Sequence, residues 1–168
     1  MVHLYTGNGA GKTTAAIGLI VRAAGYGKKA VFVQFLKGAE SGEVEPLKKL
    51  GAVVLRNSRD YGFFKFMADD LKAKVVAEND ENLNRAIGLA SSGEVTLVVL
   101  DEILDAINLG AIDIKAAEDF ICGSKAEIVV TGRNPSERIK NRADYYTEMV
   151  KVRHPFDKGE EAREGIEF

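Results

Sequence analysis

The chain has 168 residues, 46% of them apolar and 29% charged, a mix that fits one globular domain and argues against disorder. Lys and Arg number 23 against 25 Asp and Glu, a net charge of −2, so no basic excess announces a nucleic-acid partner. The single cysteine, Cys122, excludes an intramolecular disulfide and a multi-cysteine zinc site, and two histidines, His3 and His154, offer little to a histidine metal centre.

Short β-rich runs at residues 2–6, 30–35, 53–56, 95–100, 128–131 and 145–150 alternate with helical stretches. This alternation predicts an α/β domain over residues 1–168, with a mainly parallel central sheet flanked by helices. No basic-then-apolar leader opens the chain, and the longest apolar run, residues 95–100, is far short of the ~20 residues that cross a bilayer. The expectation is a cytoplasmic protein without a membrane partner.

The first run leads straight into Thr6-Gly7-Asn8-Gly9-Ala10-Gly11-Lys12-Thr13-Thr14. Closely spaced glycines let backbone N–H groups turn toward an anion, and the helix expected over 12–24 offers its N-terminus to the same anion. Lys12 is placed to reach phosphate oxygens, and Thr13 to offer its hydroxyl to Mg²⁺. The glycines fall at 7, 9 and 11, and Thr6 stands where the strict consensus has a glycine. The loop is thus an atypical P-loop in the required order of strand, loop and helix. Gly25 and Gly27 suit the helix stop.

Residues 37–46 and 57–66 read as irregular. Leu71, Val75, Leu83 and Ile87 lie on multiples of four and predict one apolar stripe on a long helix. The run at 95–100 is apolar nearly throughout, as a central strand buried on both faces should be. It ends in Asp101-Glu102, the usual place for a Mg²⁺ ligand or a water-positioning group. Asp113 is expected to cap a helix over 114–121, and Asn134 with Pro135 to open a short solvated helix to Arg142. Composition alone marks the charged tail after Lys151 as a frayed end. Loop and carboxylates together imply a nucleoside triphosphate with a divalent cation, most simply MgATP.

The order of these motifs resembles the P-loop corrinoid adenosyltransferases, the family acting on cob(I)alamin and cob(I)yrinic acid a,c-diamide. The resemblance rests on five pieces: the loop with Ala15-Ala16; Arg22-Ala23-Ala24-Gly25-Tyr26-Gly27-Lys28; Gln34-Phe35-Leu36-Lys37-Gly38; Leu100-Asp101-Glu102-Ile103 with Thr131-Gly132-Arg133; and the tail from His154-Pro155-Phe156-Asp157 to Gly165-Ile166-Glu167. It covers almost the whole chain and implies a P-loop NTPase (RecA-like) fold. It also makes the tail part of the functional protein. The chain departs from the family at Ala10, where a second lysine is common, and at Arg153, where a lysine is common. It lacks the N-terminal segment that covers the corrinoid in some relatives.

The resemblance implies transfer of the 5′-deoxyadenosyl group of ATP to the cobalt of a reduced corrinoid, with loss of triphosphate, in adenosylcobalamin biosynthesis or salvage. Asn8, Gly9, Ala10, Gly11, Lys12, Thr13 and Thr14 would cradle the triphosphate, with Lys12 and Glu102 positioning. Thr13, Glu102 and Asp101 would organise Mg²⁺, and Arg22, Gln34 and Arg133 would contact nucleotide. Phe63, Phe64 and Phe66 would form an apolar wall against the corrin ring, although Phe alone does not separate this from ordinary core. A reduced flavoprotein as electron donor and a homodimer are implied by analogy. Two other readings stay open on the residues: a small P-loop kinase or ATPase, using Arg138 and Arg142, and a non-catalytic nucleotide-binding carrier.

Overall fold

A computed structural model describes residues 1–166. The described residues form six strands in one sheet: β1 (Val2–Thr6), β2 (Ala30–Gln34), β3 (Val53–Arg56), β4 (Leu97–Asp101), β5 (Glu127–Thr131) and β6 (Tyr145–Glu148). Every pairing is parallel and the order is β3-β2-β4-β5-β1-β6. Parallel neighbours require crossovers, and α1 (Lys12–Gly25), α2 (Val44–Lys49), α3 (Asp69–Ser91), α4 (Ile103–Leu109), α5 (Ile114–Gly123) and α6 (Glu137–Arg142) lie in them. The expected α/β class and parallel sheet are both present.

Side chains alternate across each strand, so the sheet feeds two cores. Val31, Val33 and Phe35 pack on one face with Leu83 of α3, Leu104 of α4 and Ile121 of α5. Ala30 and Phe32 pack on the other with Ala16 and Ile20 of α1 and Leu47 of α2. All five residues of β4 are buried, as its place between β2 and β5 demands. The stripe on α3 is present, with Val75 and Leu83 buried. Asn79 falls on the same stripe and is also buried, its amide Nδ2 donating to the Ala111 carbonyl at 2.8 Å.

Local signals succeed where a side chain has one obvious task. Asp113 caps α5, accepting from Ala116 N at 3.0 Å. Asn134 does not cap α6. It takes a left-handed φ of 50° before Pro135, and Ser136 is the cap, its Oγ accepting from Ile139 N. The helix is anchored by buried Ile139 rather than solvated throughout. Two short helices, α2 and α4, lie where the sequence suggested irregular chain or nothing, because six or seven residues are too few to establish a period. All four residues of β6 are exposed, since it closes the sheet at an edge.

Candidate functional site

The site is built at the C-terminal ends of β1, β4 and β5, which lie next to one another in the sheet. Open parallel sheets bind ligands there, outside the carboxyl ends of the strands. Residues 8–14 line a cavity of about 600 Å³ with Glu102, Asp105, Thr131, Gly132, Arg133, His154 and Ile166.

The loop needs its glycines for two reasons. Gly11, at the N-cap of α1, has φ 99°, a region that a side chain strains. Gly9 sits against the chain that leaves β6: its N–H donates to the Met149 carbonyl at 2.7 Å, and a Cβ would come within 2.8 Å of that same oxygen. The N-terminus of α1 has no side-chain cap, so its N–H groups stay open to an anion.

Lys12 folds back over the loop and donates to the carbonyls of Gly7 at 2.9 Å and Gly9 at 2.7 Å. Burial lowers its pKa from the usual lysine value, and the neighbouring Arg133 guanidinium adds to the drop. A cation held in this way gains from an arriving anion.

Asp101 ends β4 and is fully buried. Its Oδ1 accepts from Thr13 Oγ1 at 2.8 Å and from Thr131 Oγ1 at 2.7 Å. Its Oδ2 is buried without a hydrogen-bond partner among the described residues. Burial pushes this carboxyl above the usual Asp value, against the hydrogen bonds that favour its charge. Glu102, the next residue, holds a left-handed φ of 60° at the N-cap of α4. Its N–H donates to Thr131 Oγ1 at 2.8 Å, and its carboxylate pairs with Lys37 at 3.0 Å. Burial raises Glu102 as well, more than Lys37 lowers it.

No group of three or more His, Cys, Asp or Glu side chains gathers around a metal position among the described residues. Mg²⁺ does not need one. It is typically held by one or two carboxylates, substrate phosphates and water. The orphaned Asp101 Oδ2, beside the Thr13 hydroxyl and Glu102, fits that requirement.

The other expected residues are distributed unequally. Arg133 reaches the loop cavity and pairs with Asp105 at 3.9 Å. Gln34 is fully buried beside Asp101 in the sheet register, but its amide Nε2 donates to Glu43 Oε1 at 2.9 Å and it does not line the loop cavity. The structure does not bring Arg22 to the loop. It stands ten residues along α1 from Lys12, about 15 Å by helical rise, and lines a separate cavity with His3, Tyr26 and Glu127. Phe63 and Phe66 are 83% and 82% exposed, so they are not core; Phe64 turns inward against the apolar core. Asn8 ties the tail to the loop, its Oδ1 accepting from Lys151 N at 2.8 Å. The tail then lays His154 and Ile166 along the loop cavity, so it is not the frayed end that composition suggests; Glu167 lies outside the described residues.

Sequence reasoning missed Asp105, Thr131 as the bridge between Asp101 and Glu102, and Lys37. Only Asp105, three residues past Glu102 and so on the same helical face, carried a readable signal. Arg138 is engaged by Glu118 and Asp119, and Arg142 by Asp144, which leaves neither placed as a phosphate-handling lid.

Strand, glycine loop, lysine- and threonine-bearing helix and a buried strand ending in carboxylates define a P-loop nucleotide-binding protein. Residues 1–168 match the family model described as ATP:corrinoid adenosyltransferase BtuR/CobO/CobP, and the chain belongs to that family of transferases. Corrinoid adenosyltransferases of Sinorhizobium sp, Pseudomonas aeruginosa and Salmonella typhimurium are 35%, 34% and 31% identical to it. These matches span 100%, 98% and 100% of this chain and 80%, 82% and 85% of the relatives. The sequence-derived resemblance agrees with these matches, and the kinase and carrier readings are not favoured. Among the described residues no helix is long and apolar enough to cross a membrane.

Proposed function

We propose that this protein transfers the 5′-deoxyadenosyl group of MgATP to the cobalt of a reduced corrinoid in the cytoplasm, as a step of adenosylcobalamin formation. The observation that carries the reading is the pairing of an open glycine loop, spanned by Lys12, with the orphaned Asp101 oxygen at the same strand ends. In this reaction Co(I) attacks the ribose C5′. The Co–C bond forms, the C5′–O bond breaks, and triphosphate leaves with the bonding electron pair. No covalent protein nucleophile is needed.

The residues therefore position and stabilise charge on the leaving group. Backbone N–H groups of residues 10–14 and the Lys12 ammonium hold the triphosphate, and Arg133, steadied by Asp105, adds a second cation. Thr13, Asp101 and Glu102 hold Mg²⁺, which when bound neutralises phosphate charge. The exposed rings of Phe63 and Phe66 are offered to the corrin face, where they exclude water and a lower axial base. A reduced flavoprotein supplies the electron that converts Co(II) to Co(I). A second copy of the chain completes the cover over the corrinoid.

The test is anaerobic incubation with MgATP and chemically reduced cob(I)alamin, followed by visible spectroscopy and triphosphate detection. Light-sensitive adenosylcobalamin with one triphosphate per turnover is expected. ADP with phosphate would instead revive the kinase or ATPase reading, and ATP binding without product, on cobalamin and on a corrinoid precursor alike, the carrier.

A further inference from the structure

Within residues 6–17 the loop and first helical turns carry a single side-chain cation, Lys12, because position 10 is alanine. A triphosphate leaving group carries several negative charges, so charge must also come from outside the loop. Lys37, on the segment that follows β2, is placed to supply it.

Two backbone features hold Lys37 where it is. Leu36 takes a left-handed φ of 61°, which a residue with a Cβ adopts only when its surroundings impose it. At Gly38 a Cβ would run into the backbone of Arg59 and Asp60, so the chain is clamped on both sides of the lysine. The guanidinium of Arg56 adds a hydrogen bond to the Ala39 carbonyl.

The Lys37 ammonium lies 3.0 Å from Glu102 Oε1 and also faces Asp101 and Glu43. Burial works against its charge, but Glu102 and then Asp101 outweigh burial and lift its pKa above the usual lysine value. It lines a cavity of about 510 Å³ together with Thr13, Thr14 and Ile166. Those three residues also line the loop cavity, so the two spaces meet along the first turn of α1.

Building on the adenosyltransferase reading, we infer that Lys37 is a second triphosphate-binding lysine, paired with Glu102 until nucleotide arrives and then with a phosphate of the bound chain. Asp101 and Glu102 would hold a cation, whose charge would replace the one that Lys37 now supplies to them. The ammonium is then left beside incoming phosphate, partly desolvated and carried on a clamped backbone. A charge-assisted contact made from a pre-ordered position is the kind that strengthens binding most.

The inference is tested by calorimetric titration of inorganic triphosphate, with Mg²⁺, into the wild type, Lys37→Ala and Lys37→Arg. Lys37→Ala is expected to weaken binding about tenfold or more, as loss of a hydrogen bond to a charged group does, while Lys37→Arg stays within about threefold of the wild type. Repeating Lys37→Ala in a Glu102→Gln background separates phosphate contact from mere orientation of Glu102: the loss persists if Lys37 touches phosphate. Unchanged affinity in Lys37→Ala, or a loss that vanishes in the Glu102→Gln background, overturns the inference. If Lys37→Ala does not fold, Lys37→Met keeps the apolar stem and takes its place. A wild type that binds no triphosphate would instead remove the reading on which the inference stands.

Discussion

At the phosphate loop Lys12, Thr13, Glu102 and Arg133 each already hold a protein partner. On the 57–66 segment, by contrast, two phenylalanine rings stand more than four-fifths exposed. The contrast follows from what each side chain costs before its ligand arrives. A buried charge or hydroxyl without a partner is expensive, so the polar half of the site is assembled in advance. Exposed apolar rings cost only the burial they forgo, so Phe63 and Phe66 stand in solvent without a partner having to be built for them. One ring, Phe64, is spent as an anchor in the core, and this turns Phe63 and Phe66 outward.

The comparison is broken most severely at Lys12. Lys12→Ala removes the cation spanning the loop and is expected to cut adenosylation by about 10²–10³-fold, the scale for loss of one leaving-charge donor. Its stability should hardly change, so a parallel thermal melt separates a lost site from a lost fold.

Asp101→Asn tests whether the assembled half is maintained at the expense of stability. The buried carboxyl is pushed above its unfolded value, so the native state binds the proton more readily than the unfolded state does. Its contribution to stability is present at low pH and is lost as pH rises through the folded value. Metal-dependent nucleotide binding should therefore fall in Asp101→Asn while the ligand-free protein gains at neutral pH. A gain of about 1 kcal/mol corresponds to roughly 2–4 °C in a domain of this size. The advantage should shrink below the usual carboxylate range, where the wild-type group is protonated in both states. Thermal melts across pH, with and without MgATP, follow both signs.

Phe63→Ala sharpens the other half. Adenosylation starting from Co(II) should drop while reaction with chemically prepared Co(I) is spared, and stability should stay within about 0.5 kcal/mol because the ring is exposed. Equal loss in both assays would remove Phe63 from the corrin wall. Arg22→Ala should have the smallest effect. Its place at the far end of α1 predicts unchanged MgATP affinity, measured by the same titration used for Lys37.

Much of this was legible along the chain. The phosphate loop, the acidic end of β4 and the α3 stripe are local patterns, and they lie where the pattern placed them. What the pattern could not reveal was pairing across distance. Lys37 and Glu102 are 65 positions apart, and Thr131 reaches Asp101 only because β5 lies beside β4. Asn134 misled for the converse reason: an Asn-Pro pair looks like a cap, yet its backbone is held in a left-handed turn whose carbonyl accepts from Asn108 at 3.3 Å.

The sequence by itself determined the strand–loop–helix order, and with it an uncapped N-terminus of α1 behind a glycine loop, because glycine spacing and helix polarity act within a dozen residues. Only the tertiary structure decided which charges share that site. The parallel order β3-β2-β4-β5-β1-β6 sets the ends of β2, β4 and β5 side by side, and it is there that burial leaves one Asp101 oxygen without a partner. The same packing carries Arg22 away from the loop and brings Lys37 toward it, since a helix spaces its residues along an axis while a sheet gathers its strand ends.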